Sequence, residues 1–224
     1  MSSPSTLVLF DGDLPSLVAA SLARDEAGQT GSAAVLPTPP HRGAADALGP
    51  TLRAAAEAIG LDVLESRLAP SSTPTSAAAR TAALLAAARA AADHGDRRLV
   101  SPWMALDAEP NADRAPGDQP TVETLARELD RAVLVARLIM LDATDAASFA
   151  IDTPLADLSD AQVADLAVDL DVPVWRCWWW SITGGKRSKN PELAEKAQSC
   201  RTRWVRALQS VGWEESTEQL AAAR

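Results

Sequence analysis

Three observations predict an open α/β protein: a doubly wound parallel sheet of five strands. The chain opens with a short apolar run, Leu7-Val8-Leu9-Phe10, then a turn over Asp11-Gly12-Asp13-Leu14-Pro15-Ser16, then good helix formers from 17 to 23. Short apolar runs go on alternating with longer helical patterns, as they do where parallel strands are joined by helices. With 224 residues and 47% apolar content, the chain can bury one large core, or a core with a small appendage.

The remaining elements can be taken in order. Residues 32–36 read as a second strand, stopped by Pro37-Thr38-Pro39-Pro40 because proline cannot donate to a ladder. A helix is expected over 44–59, ended by Gly60. A third strand is expected over 61–68, centred on Val63 and Leu64. After a Ser/Pro/Thr loop, an alanine-rich helix should run over 76–92, and a fourth strand carrying Trp103 over 98–106. Residues 107–120 are polar and proline-rich and read as a loop. Val122, Leu125, Leu129, Ala132, Val133 and Ala136 fall at helical spacing, which predicts a helix from Thr121 to about Leu141 with that stripe inward. A short fifth strand fits 149–151. Ser159-Asp160-Ala161-Gln162 fits a capping box, and Pro173 stops the helix it begins. Asn190-Pro191 starts a last helix whose inner face reads Leu193, Ala197, Cys200, Trp204, Ala207 and Val211. The regular alternation gives way near residue 172. That divides the chain into a nucleotide-binding-like unit, 1–172, and a C-terminal segment, 173–224.

Composition narrows the function classes. There is no run of 18 apolar residues, so no membrane span is expected. The first residues lack a positive region followed by an apolar core, and two cysteines make no disulfide framework. A cytoplasmic protein is the expectation. The net charge of −9 disfavours nucleic-acid binding by the whole surface. Residues 176–206 run against that trend at +6, leaving −15 elsewhere. They are either a solvated face or an anion or RNA contact.

The common catalytic fingerprints are missing. No G-x-G-x-x-G follows the first strand, and no G-x-S-x-G elbow occurs. Thr183-Gly184-Gly185-Lys186 lacks the Walker spacing. His41 and His94 lie far apart, so a two-histidine metal site has no support. What remains is the opening loop. Ligands bind beyond the carboxyl ends of parallel strands, and a helix N-terminus there favours an anion. Asp11 and Asp13 oppose that, since both put negative charge where a phosphate would sit. Ser16 either meets an anion or caps the backbone. His41 and Arg42 either face the nucleotide crevice or lie in a solvated loop. Asp107 either contacts a ribose or metal or serves as a turn residue.

Read together, the two ends of the chain resemble a known family. LVLFDGDLPSLVAASL resembles the opening of the PP-loop ATP pyrophosphatases, which have a strand, an S-G-G-x-D-S loop and a helix. TPLADLSDAQVADLAVDLDVPVWRC is similar to a later part of the 7-cyano-7-deazaguanine synthases, where a W-S-C tripeptide follows the helix. Here that tripeptide is Trp175-Arg176-Cys177, followed by Gly184-Gly185 and by Ser199-Cys200-Arg201-Thr202-Arg203 in place of the family's cysteine cluster. His41 falls where the family has a histidine, and element order agrees over roughly residues 6–213.

The resemblance implies an adenine-nucleotide α-hydrolase (HUP) fold. It implies binding of ATP and Mg²⁺ and adenylation of a carboxylate on a deazaguanine precursor in the queuosine pathway, with AMP released. It also implies nucleotide contacts at Asp11, Gly12, Asp13, Ser16, His41 and Arg42, and substrate contacts at Trp175, Arg176 and Lys186. Three departures count against turnover. Asp11 stands for the family's Ser, Asp13 for its second Gly and Pro15 for its Asp. Two carboxylates beside a polyphosphate cost about 1 kcal/mol each in water-like surroundings and ~4 at an effective dielectric near 20. Only Cys177 and Cys200 remain of a four-ligand zinc site, so zinc is not expected. Trp178-Trp179-Trp180 is read as filling that volume.

The first expectation is a lapsed relative that binds a purine-like ligand or a partner and has no assigned catalytic residue. The alternatives are an active ATP-dependent carbon–nitrogen ligase and an RNA-contacting accessory protein. A homodimer is compatible with all three.

Overall fold

The computed structural model describes residues 6–30, 33–38, 45–64, 77–108, 114–142, 148–184 and 190–214. Five parallel strands form one sheet in the order β3-β2-β1-β4-β5. They are β1 (Thr6–Phe10), β2 (Ala33–Pro37), β3 (Asp62–Val63), β4 (Arg98–Val100) and β5 (Ala150–Asp152). This is the expected doubly wound parallel sheet, with its topological switch point between β1 and β4.

β1 is buried along its whole length because both faces of the sheet are covered. Its residues alternate between two cores. Val8 and Phe10 point to one that includes α1 (Leu14–Thr30), α2 (Ala45–Ile59), α5 (Asp160–Asp169), α6 (Trp178–Gly184) and α7 (Pro191–Ser210). Leu7 and Leu9 point to the other, with α3 (Ala77–His94) and α4 (Val122–Asp142). Residues after 172 therefore share the core of β1: Trp178, Trp204 and Leu208 lie in the same cluster as Val8.

Local sequence explains the starts of two helices. Ser159 Oγ accepts from Gln162 N–H at 3.2 Å and Gln162 Oε1 accepts from Ser159 N–H at 2.9 Å, which completes the expected capping box of α5. Asn190 Oδ1 accepts from Glu192 and Leu193 N–H at the start of α7.

Three expectations need correction. β4 stops at Val100; residues 101–104 are irregular and Ala105–Ala108 is a 3-10 turn, so Trp103 is not a strand residue. Trp178–Gly184, expected as no element, is a short helix. α4 buries only part of the stripe its spacing suggested. Val122, Leu129 and Val133 are exposed, while Ala132, Val135, Ala136 and Ile139 face the core. Ala132 and Ala136 belong to the expected stripe, so the buried face overlaps it but is turned toward Val135 and Ile139. Among the described residues, no helix is long and apolar enough to cross a membrane.

Candidate functional site

A crevice of about 280 Å³ lies beyond the carboxyl ends of β1 and β4, where a doubly wound sheet binds its ligands. Its floor is the loop after β1. Asp11, Asp13, Pro15 and Ser16 of that loop line it together with Arg80, Trp103, Asp107, Arg114, Lys196 and Arg203.

The loop's two carboxylates accept from nearby donors of the protein. Asp11 Oδ1 accepts from Asp13 N–H at 2.9 Å. Asp13 Oδ1 accepts from Leu14 N–H at 2.8 Å and from the Trp179 indole N–H at 2.7 Å. The Asp13 carbonyl accepts from Ser16 and Leu17 N–H and from the Ser16 hydroxyl. Pro15 has no N–H to offer. The donors that a helix start would turn toward a phosphate are thus bonded to the protein itself. The Ser16 hydroxyl is thus turned onto the Asp13 carbonyl, and it also hydrogen-bonds the Asp11 carboxylate.

Gly12 is closed off in the same way. Its φ of +75° suits glycine, and a Cβ there would lie 2.3 Å from Leu52 Cδ2. Its carbonyl accepts from Trp178 N–H at 3.0 Å, tying the loop to the start of α6. The space beside this glycine therefore holds core side chains.

Electrostatics follow from the crowding. Burial, the adjacent Asp11 charge and partial relief from Arg203 leave the Asp13 carboxyl pushed up to about 6. Burial likewise raises Asp11. Burial opposes the charge of Arg203, but Asp107 and Asp160 outweigh it and hold the guanidinium firmly protonated. Arg203 lies 2.8 Å from Asp107 and 2.6 Å from Asp160. Arg114 donates to the Leu106 carbonyl at 2.6 Å and also approaches Asp107. Asp107, offered as a ribose or metal ligand, is thus engaged in ion pairs. Arg80 bonds Glu128 at 3.2 Å and lies over the Trp103 ring at 5.3 Å, while its buried Nε has no hydrogen-bond partner among the described residues.

The other expected site residues are dispersed. His41, Arg42 and Lys186 lie outside the described residues. Trp175 packs at the edge of the core and Arg176 is exposed; neither lines the crevice. Trp178, Trp179 and Trp180 are fully buried, as core packing requires, although Trp179 also reaches the loop. Both cysteines are free. Burial raises both thiols, and Cys200 lies near enough to Cys177 to add to its shift. Among the described residues, no group of three or more His, Cys, Asp or Glu side chains could hold a metal. Of the basic stretch, Arg187 and Lys189 also lie outside the described residues, Arg201 stacks on Trp180 and Arg203 is paired.

Sequence reasoning missed Arg80, Arg114, Lys196 and Arg203 as crevice residues. They come from three separate stretches, α3, the loop before α4 and α7, and only the fold gathers them.

Fold and crevice define a doubly wound α/β protein with an acidic loop at its switch point. No family model matches the chain, and no curated protein matches it. Among solved structures, the chain is similar to the U34-tRNA thiolase NcsA from Methanococcus maripaludis with its 4Fe–4S cluster. The TM-score is 0.45 at 12% identity, covering 96% of this chain and 74% of that one. Nothing about this chain's chemistry follows from that likeness.

Proposed function

We propose that this chain is a small-ligand-binding protein whose crevice takes a purine-like heterocycle through its N–H edge and does not turn over ATP. It would be a divergent relative of the 7-cyano-7-deazaguanine synthases that has lost the pyrophosphatase chemistry. The observation that carries the reading is Asp13. Its carboxylate accepts from Leu14 and Trp179 at the position a phosphate would need. Carboxylate oxygens suit adjacent N–H donors on a heterocycle, and Trp103 and Trp178 give the crevice apolar wall. At about 280 Å³ the space is near the lower end for ligand pockets, a better match to a base than to a nucleoside triphosphate. A buried acid with a raised pKa in a cleft is also a functional-site signature.

Isothermal titration of the full chain with a guanine-type base and with Mg–ATP tests this. Heat with the base and none with Mg–ATP supports it. Silence with both overturns it. A second reading, the active ATP-dependent ligase, draws on Arg80, Arg114, Lys196 and Arg203, whose charges face the same space. AMP and pyrophosphate appearing from Mg–ATP would favour that reading instead.

A further inference from the structure

We infer that the outer face of α4 is the contact between two copies of this chain, packed antiparallel about a two-fold axis. Seven of the eight large exposed apolar side chains among the described residues lie on this one helix. Val133 and Leu134 are 50% and 62% exposed at its middle, and Leu141 is 81% exposed near its end. At on the order of 100 Å² each, seven such side chains offer about 700 Å² per copy, close to the roughly 800 Å² per partner of a stable interface. They form two stripes, Val122, Leu129, Val133 and Met140 on one side of Asp130 and Arg137 and Leu134, Leu138 and Leu141 on the other, more apolar surface than a monomer ordinarily leaves in water.

The charges on this face say which partner fits. Asp130 and Arg137 are both exposed and sit two turns apart on the same side of the helix. They are equidistant from the midpoint between Val133 and Leu134. An antiparallel two-fold at that midpoint sets Asp130 opposite the partner subunit's Arg137, and Arg137 opposite the partner subunit's Asp130. It also brings Val133 against the partner subunit's Leu134 and Ala126 against the partner subunit's Leu141. A parallel arrangement would oppose like charges. The face is therefore complementary to itself in one orientation, as an isologous contact requires. The groove beside it, between α3 and α4, encloses about 680 Å³ and is lined by Leu85, Leu134 and Leu138, giving the partner's side chains room to enter.

Sedimentation equilibrium of the full chain at micromolar concentration, with circular dichroism to confirm folding, tests this. The wild type should be a dimer. Asp130→Arg alone and Arg137→Asp alone should each weaken it at least tenfold, because each sets like charges together. The double variant Asp130→Arg with Arg137→Asp should recover most of the affinity, because both pairs are rebuilt with the signs exchanged. A wild-type monomer, or a dimer indifferent to the single reversals, would overturn the inference. So would single variants whose loss the double variant fails to repair.

Discussion

Replacing Asp13 by asparagine should stabilise the protein near neutral pH. Burial and the Asp11 charge together raise the Asp13 carboxyl from 3.8 to about 6, so the fold prefers its uncharged form, which an amide imitates. Asparagine can keep an oxygen where Oδ1 now accepts from Leu14 and Trp179. The shift from the unfolded to the folded value corresponds to about 3 kcal/mol at neutral pH. For a chain of this size that is a Tm increase of roughly 6–12 °C.

The sign follows from proton binding. Between the two values the folded state holds a proton that the unfolded chain has released. The wild-type contribution is complete below the unfolded value and is lost as pH rises through about 6. Urea unfolding of both proteins across this range should show the asparagine variant gaining little in acid and most near neutrality. An asparagine variant less stable at neutral pH, or an advantage that does not change with pH, would refute the reasoning.

Other substitutions test the remaining contacts. Gly12→Ala forces a side chain against Leu52 at a positive φ and should lower stability by about 2 kcal/mol in thermal melts. Arg203→Ala leaves Asp160, which is 3% exposed, without its closest cation, and should cost about 3 kcal/mol in chemical denaturation. Ser159→Ala removes the α5 cap and should cost about 1 kcal/mol, with Ser159→Asp recovering most of it.

Much of the fold was legible because local signals agreed. The β1 run, the capping box at Ser159 and the Asn190-Pro191 start each name their element from a few residues. α4 was legible in part: Ala132 and Ala136 are buried as their spacing suggested, but Leu129 and Val133 share that spacing and face outward, and nothing local distinguishes the two. The site was half legible. Asp11 and Asp13 announced themselves by sitting in a loop between strand and helix, and Asp107 by following β4. Their partners did not, because Arg203 comes from α7 and Arg80 from α3, and the Trp179 indole reaches Asp13 across 166 residues of chain.

The central claim is that a carboxylate of the protein occupies the seat at the start of α1. Amide and indole resonances of ¹⁵N-labelled wild-type protein, followed during addition of pyrophosphate with Mg²⁺, report on that seat directly. The account predicts that Leu14 N–H and Trp179 Nε1–H stay where they are at millimolar ligand. Saturable movement of both signals together would mean that the phosphate displaces Asp13, and would contradict it.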